Sequence, residues 1–468
     1  MHPILFRIPL PNWNLPHFGP IHDAIGATLP IYSYGVMLGL SFIVGWYLTL
    51  MLAEKDGLPK ETMANCYVVT AIAALIGSRV LYVVTNLSEF DTLKDLFALR
   101  RGGLVAYGGF IGGYLGSWGY LKLKKIRLMP WADITVPSLA TGLGITRIGC
   151  YLFGCDFGKP LTAGAPGFLQ KLGTFPHWAV GTVDRGDGSP AWIQHLNQNL
   201  VSHDSMASLP VHPTQLYESL LGWSLFALML LQRKNQRFRG QVFMLFAFVY
   251  GFGRFLLELV RDDLERGSFG PELGAHIMIP GALALFAVGY ALSFASTIEN
   301  QTMRRLTQAV AFIPAIVAYL AMRPSSFMTS TLTQFSTSQW VGLLTAVSVS
   351  IGFMILWKAA ESHPESAMAL HLEEHYAAEA AAAARAAGGV EAPASEEDAD
   401  ETEESAPVAK KKKKKAGRTD DSASSESPAE GSSVDATKSG AQIEASFDDK
   451  PTAPAEGDDA TKNAPDKG

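Results

Sequence analysis

The chain has 468 residues, 48% of them hydrophobic, and a formal net charge of −6. The hydrophobic residues are concentrated in the first part of the chain. Long apolar runs fill residues 1–360, whereas residues 361–468 are rich in Ala, Glu, Asp, Ser and Lys. So dense a first part leaves too little polar surface for an ordinary soluble domain, and three cysteines are too few for a disulfide scaffold. The N-terminus has no basic segment followed by an apolar core, so we expect no cleaved signal peptide.

In chain order, nine apolar runs are long enough to cross a bilayer, which requires about 20 residues of helix. They are residues 34–52, 63–84, 104–121, 134–153, 214–231, 241–260, 276–296, 306–322 and 339–357. The sequence therefore predicts an all-α, polytopic transmembrane helical bundle. We divide it into a membrane-embedded core of seven spans (1–297), two additional spans (298–360) and a disordered, charged tail (361–468).

The basic residues predict an orientation, because cytoplasmic loops carry an excess of Lys and Arg. The loops 122–127 and 233–239 are strongly basic, and both lie on one side if the N-terminus is outside. The Gly- and Pro-containing segment 154–211 then lies outside and the tail is cytoplasmic. Six lysines at 410–415 could contact anionic lipid or remain solvated.

Ionisable residues inside the spans indicate a candidate site, because a charge at the bilayer centre costs at least about 2.5–3.5 kcal/mol on insertion scales. Tyr250, Arg254 and Glu258 follow one another at intervals of four and share a helix face. An arginine between a phenol and a carboxylate can hold an oxyanion. The same pattern also fits an ion pair that only stabilises the helix.

Two further arginines lie in other spans: Arg147 in a glycine-containing stretch that ends the fourth span, and Arg79 in the second. Three arginines in separate spans with few acids suggest one anionic ligand within the membrane, and a phospholipid is the obvious candidate. A voltage sensor would repeat Arg along one helix, which this chain does not do. A transporter of anionic amphiphiles is the other alternative, although the two halves lack the symmetry typical of transporter repeats.

Five short blocks, in their order and spacing, resemble the prolipoprotein diacylglyceryl transferases of bacterial inner membranes, over about residues 20–295. The blocks are Tyr34-Gly, Tyr107-Gly-Gly-Phe-Ile-Gly-Gly, residues 146–158 with Arg147, Gly149 and Gly158, His212-Pro-Thr-Gln-Leu-Tyr-Glu218, and residues 250–258 with Tyr250, Arg254 and Glu258.

This resemblance implies transfer of the diacylglyceryl group of phosphatidylglycerol to the lipobox cysteine thiol of prolipoprotein signal peptides, forming a thioether and releasing glycerol 1-phosphate. No cofactor, metal or nucleic acid is expected. It implies phosphate clamping by Arg147 and Arg254, orientation by Glu258, and headgroup positioning or proton relay by Tyr34 and Tyr250. The remaining candidates are catalytic Tyr107 and, for substrate binding, Arg79, Gly149, Gly158, Asp156, Cys155, His212 and Glu218.

The chain departs from the family pattern at several positions. Tyr107 stands where many members have His, and Cys150 stands at the signature Asn. Cys155 holds the signature Glu position and Asp156 follows it, so either could take that role. The two cysteines could form a disulfide or pack as small residues, and His212 could contact substrate or be an ordinary loop histidine. These departures leave open a non-catalytic paralogue that binds phospholipid or lipoprotein.

Overall fold

The computed structural model describes residues 2–9, 28–87, 103–178, 188–262, 267–324 and 331–386. In these ranges the elements are β1 (Ile4–Pro9), β2 (Thr28–Tyr32), α1 (Ser33–Lys55), α2 (Lys60–Thr85), α3 (Ala106–Leu123), α4 (Leu128–Phe153), α5 (Gly167–Leu172), α6 (Pro190–Asn197), α7 (Thr214–Arg233), α8 (Gln241–Glu258), β3 (Ser268–Gly274), α9 (Ala275–Leu292), α10 (Gln301–Ala311), α11 (Ile313–Met322), β4 (Leu332–Ser336), α12 (Thr337–Ser362), α13 (Pro364–Ala367) and α14 (Leu372–Ala386).

The nine predicted runs all fall on helices, and the chain is a multi-pass, all-α membrane protein. Six helical segments in the described ranges are long and apolar enough to cross a membrane: α1, α2, α8, α9 with the turn after it, α10 together with α11, and α12. Helices α3, α4 and α7 coincide with the other three runs. The eighth run is interrupted after Ala311, where α11 begins with Pro314 in its first turn, because proline has no N–H for a continuous helix. A count of nine spans stays a prediction.

Glycines let neighbouring helices approach closely. In a bilayer the lipid is as apolar as the side chains, so helices associate through this close packing and not through the hydrophobic effect. A Cβ atom on Gly112 of α3 would lie 2.3 Å from the carbonyl oxygen of Ala73 on α2. In the same way, a Cβ on Gly222 of α7 would lie 2.6 Å from the backbone nitrogen of Gly144 on α4. The pairs α2–α3 and α4–α7 are therefore set by backbone contact.

Helix α12, in the segment assigned to the additional spans, packs against α8 and α9. A Cβ on Gly342 would lie 3.0 Å from the carbonyl oxygen of Gly251 on α8. The start of α12 is also fixed by the antiparallel pairing of β3 with β4, in which Phe269 is opposite Phe335. The aromatic core between these helices includes Phe248, Phe255, Phe286, Phe335 and Phe353.

At one end of the bundle, which we call the basic end because it holds the loops 122–127 and 233–239, two acids are satisfied by neighbouring groups. Asp56 accepts from Arg233 and from Arg239, each at 2.5 Å. Asp133 is buried and accepts from the backbone nitrogens of Gly240, at 2.6 Å, and Phe243, at 2.9 Å. Asp133 therefore satisfies the N-terminus of α8, where a negative charge is favourable.

The tail differs from the predicted disorder at its beginning, because α13 and α14 occupy most of residues 364–386. Arg127 donates to the carbonyl oxygens of Ser366, at 2.9 Å, and Ala369, at 3.1 Å, and the backbone nitrogen of Arg239 donates to Ala367. These hydrogen bonds to main-chain carbonyls fix residues 366–369 against the bundle, although the sequence of the tail shows no apolar periodicity. Residues 387–468, with the lysine run, lie outside the described residues.

Candidate active site

Asp156, just beyond the end of α4, joins two arginines that are far apart in sequence. Its Oδ2 lies 2.6 Å from Nη1 of Arg147, and its Oδ1 lies 2.6 Å from Nη2 of Arg261. The backbone turns sharply here: Gly154 ends the helix with φ 86°, and Asp156 itself has φ 56°. Aspartate tolerates this left-handed region better than most residues. The turn therefore directs the carboxylate back towards the bundle.

Arg147 is held by a second acid, Glu218, on α7. Its Nε lies 2.9 Å from Oε2 of Glu218, a side chain only 3% exposed. The helices are in register for this contact because Ser219, next to Glu218, donates to the carbonyl oxygen of Gly144 at 2.7 Å. Two carboxylates thus fix the orientation of the Arg147 guanidinium.

Helix α8 carries the second arginine–acid pair. Nη1 of Arg254 lies 2.8 Å from Oε2 of Glu258, one turn further along the helix. Tyr250, one turn earlier, is close enough to interact electrostatically with Arg254, Arg147 and Glu218. Asp156 also interacts electrostatically with Arg254. The two predicted cationic centres therefore belong to one cluster, and Tyr250 interacts with both.

Gly149 and Tyr34 place α1 against this cluster. A Cβ on Gly149 would lie 3.2 Å from Cα of Tyr34 and 3.0 Å from Cβ of Met37. Because Gly149 has no side chain, α1 can come close enough for Tyr34 to interact electrostatically with Arg147 and Asp156.

Gly158 connects the segment after α4 to the ends of two other helices. Its nitrogen donates to the carbonyl oxygen of His212 at 3.0 Å, and a Cβ here would lie 2.6 Å from the carbonyl oxygen of Val260. Only glycine fits between these backbones. This close approach at Gly158 brings Asp156 within reach of Arg261, the residue that follows Val260.

His212 contacts Tyr217, with 3.3 Å between Nδ1 and the hydroxyl oxygen. Burial, assisted by the positive charge of Lys159, lowers the pKa of His212 below its usual value. The imidazole is therefore neutral at neutral pH, and its described contacts are those of a loop histidine at the edge of the site.

Cys150 and Cys155 are free thiols. The sulfur of Cys155 lies 3.8 Å from Oδ2 of Asp156, and that of Cys150 lies 3.8 Å from Nη1 of Arg147. Of the two candidates for the carboxylate role, Asp156 and not Cys155 forms the ion pair with Arg147. A metal cation here would have to displace two guanidinium groups from that carboxylate, which electrostatics disfavours.

The remaining predicted residues lie on α2 and α3. Tyr107 interacts electrostatically with Tyr250, and its hydroxyl donates to Oγ of Ser338 at 3.3 Å. Arg79 donates to the carbonyl oxygen of Gly103 at 3.1 Å and lies over the ring of Tyr82. The structure thus brings Tyr107 to the cluster and places Arg79 within the α2–α3 pair.

Four residues of the site were missed in the sequence. Thr214 donates to the carbonyl oxygen of Asp156 at 2.5 Å, and Gln215 donates to that of Cys155. Both belong to the His-Pro-Thr-Gln block and could have been included. Arg261 also had a signal, because it follows the sixth span on the side predicted to be poor in basic residues. Ser338 had none, since one serine at the start of a span is unremarkable in a single sequence.

Comparison with known proteins gives a consistent assignment. The model of the prolipoprotein diacylglyceryl transferase family matches residues 20–298. The phosphatidylglycerol–prolipoprotein diacylglyceryl transferase of Clostridium tetani is 31% identical over 245 residues, covering 51% of this chain and 84% of the relative. Enzyme 2 of that name from Clostridium perfringens is 29% identical, covering 52% and 83%, and the Bacillus cytotoxicus enzyme is 28% identical, covering 58% and 87%. The five blocks are gathered at one site and all lie within the matched region, so the chain belongs to the prolipoprotein diacylglyceryl transferase family of membrane enzymes.

Proposed function

We propose that this protein transfers the diacylglyceryl group from phosphatidylglycerol to the lipobox cysteine thiol of prolipoproteins, forming a thioether and releasing glycerol 1-phosphate. The observation that carries the proposal is the arginine cluster around Asp156. Arg147 and Arg261 bind its two carboxylate oxygens, and Arg254 lies within electrostatic range. Such a cluster suits a lipid whose headgroup is a phosphodiester.

The three acids of the cluster form ion pairs with its three arginines. Asp156, Glu218 and Glu258 balance the charges of Arg147, Arg254 and Arg261, which lowers the cost of placing them in the membrane. Arg147 uses Nη1 and Nε for carboxylates, and among the described residues its Nη2 forms no hydrogen bond. That nitrogen is therefore available to donate to a phosphate oxygen.

The reaction breaks the bond between the glyceryl C3 carbon and its phosphate oxygen, and forms a bond from that carbon to the cysteine sulfur. The electron pair of the broken bond stays on the phosphate of glycerol 1-phosphate, where Arg147 and Arg254 stabilise the developing charge. The attacking sulfur must lose its proton, since the thiolate is the nucleophile. Tyr250, which interacts electrostatically with both arginines, is placed to position the headgroup.

The setting that we propose is the bacterial cytoplasmic membrane, with the N-terminus outside. In this orientation the cluster lies towards the outer face, at the ends of α4 and α8. A prolipoprotein signal peptide that crosses the membrane presents its lipobox cysteine at this depth. The charge of the basic loops at the other end supports the orientation.

A complementation experiment tests the function. The wild-type chain is expected to restore growth and lipoprotein modification to bacteria depleted of their own transferase, whereas Arg147→Ala and Arg254→Ala are expected to abolish the rescue. Arg237→Ala is the matched control, because that side chain is 53% exposed and its ion pair is with exposed Glu299, outside the cluster. A well-expressed wild-type chain that gives no rescue would contradict the proposal and favour a binding paralogue.

A further inference from the structure

The additional helix α12 lies outside residues 20–298, the part of the chain matched by the transferase family, yet it reaches the arginine cluster. Ser338, in its first turn, accepts a hydrogen bond from the Tyr107 hydroxyl at 3.3 Å and one from Nη2 of Arg254 at 3.4 Å. One hydroxyl group therefore joins α3, α8 and α12.

This contact is built into the packing of the helices. Gly342 lies four residues after Ser338, on the same face of α12, and touches the backbone of Gly251 on α8. Arg254 lies three residues after Gly251, on the corresponding face of α8. The helix contact at the two glycines consequently brings Ser338 to the Arg254 side chain.

The first turn of α12 is fixed independently of the cluster. Ser336 and Gln339 form a capping box, in which the Gln339 side chain accepts from the Ser336 nitrogen at 2.9 Å. Trp340 donates to the carbonyl oxygen of Phe269 on β3 at 3.0 Å. Ser338 is thus presented by a rigid turn, which favours a defined role for its hydroxyl group.

A serine hydroxyl has two lone pairs and one proton. Here the two lone pairs accept hydrogen bonds from Tyr107 and Arg254. Among the described residues, no acceptor forms a hydrogen bond with the Ser338 hydroxyl proton. With both acceptor positions used, the proton is directed away from the two donors. An acceptor beside Arg254, such as a phosphate oxygen, would complete its bonding.

We propose that α12 is part of the substrate site and that Ser338 positions Arg254 and Tyr107 while donating to the phosphate of the bound lipid. The inference rests on the proposed function, in that the phosphate is taken to be that of phosphatidylglycerol. It also gives Tyr107, which stands where many relatives have His, a hydrogen-bond partner from outside the family region.

The test compares Ser338→Ala, Ser338→Thr and a control, Ser350→Ala, in full-length protein in mixed micelles with phosphatidylglycerol. Ser350 lies three turns further along α12, is buried, and its hydroxyl has no hydrogen-bond partner among the described residues. Phosphatidylglycerol affinity, the KM for phosphatidylglycerol, kcat and melting temperature are measured for each.

Removal of the Ser338 hydroxyl is expected to weaken phosphatidylglycerol binding and raise KM by about tenfold, the effect of one lost hydrogen bond to a charged group. Ser338→Thr and Ser350→Ala should stay within about twofold of wild type. Tyr107→Phe combined with Ser338→Ala should add little to Ser338→Ala alone, because both changes remove the same contact.

The outcomes separate this inference from the proposed function. Ser338→Ala that lowers the melting temperature but binds phosphatidylglycerol like Ser350→Ala overturns the inference, whatever the transfer rate. A wild-type chain that transfers no diacylglyceryl group, but whose phosphatidylglycerol affinity falls on loss of the Ser338 hydroxyl, supports the inference and overturns the transferase reaction.

Discussion

Single side chains decide the electrostatics of the site, and Asp156 is the clearest case. It pairs with two arginines that are far apart in the sequence, and its backbone adopts a conformation that few residues other than Gly, Asn and Asp accept. Its neighbour Cys155 points a thiol at the same carboxylate. The two adjacent residues therefore differ sharply in what their removal should do.

Asp156→Asn is expected to reduce transfer by at least about 100-fold, because it leaves Arg147 and Arg261 without a shared negative charge; breaking a buried pair costs about 3–5 kcal/mol. Asn keeps the left-handed backbone, so the charge alone changes. Cys155→Ala is the matched control and should stay within about threefold. The rate of modification of a lipobox peptide measures both. Full activity of Asp156→Asn would remove this turn from the mechanism.

The sequence predicted the residues whose partners lie within one helix or one block. Tyr250, Arg254 and Glu258 follow from spacing, since contacts at four-residue intervals need no knowledge of the fold. The position of Arg261 marked it as a candidate, but neither its partner nor that of Ser338 could be assigned. Their contacts join segments far apart in the chain, and a single sequence carries no record of such proximity. The choice between Cys155 and Asp156 likewise required the backbone turn.

At the scale of elements, the helices were predictable and their junctions were not. Apolar length alone located the helices, because a bilayer requires them. The short pairings β1–β2 and β3–β4, the break before α11 and the helices after Ser362 depend on local hydrogen bonds that hydropathy does not register. The pairing of α2 with α3 depends on which face of α3 its glycines occupy.

Gly112→Ala is expected to push α3 away from α2, because the added Cβ would lie 2.3 Å from a backbone oxygen that cannot move alone. Overpacking of this kind typically costs about 1–3 kcal/mol, and the shift would carry Tyr107 with it. The variant should melt several degrees below wild type and transfer more slowly.

Gly119→Ala is the control on the same helix, because a Cβ there meets nothing within 4 Å. Alanine also has the higher helix propensity, so this variant should be neutral or slightly more stable. Thermal unfolding in detergent compares the two. Equal melting temperatures would show that the α2–α3 contact does not depend on these backbones touching.

For the whole molecule, the two ends of the bundle have different charge chemistry. The basic end places Asp56 between Arg233 and Arg239 and binds α13 through backbone carbonyls. The opposite end holds the arginine cluster with its three acids. The two strongly basic loops thus lie at one end, which is the pattern that fixes orientation during insertion.

Cysteine labelling should reveal this orientation in intact spheroplasts treated with a membrane-impermeant maleimide. His203→Cys, exposed in the segment before α7, should be labelled directly, whereas Lys124→Cys, exposed in the loop after α3, should react only after permeabilisation. The wild-type chain measures the background from its three native cysteines. Labelling in the reverse pattern would contradict the N-out orientation.

The spacing of the ion pairs has a consequence for the order of synthesis. Arg254 and Glu258 are four residues apart in one helix, so they enter the membrane already paired. Arg147 is followed by Asp156 after nine residues, but Glu218 emerges only with α7 and Arg261 lies 105 residues beyond Asp156. During biogenesis Asp156 is therefore the acid that can neutralise Arg147 while later spans are still unmade. In the nascent chain it protects an isolated charge, and in the finished enzyme it joins two.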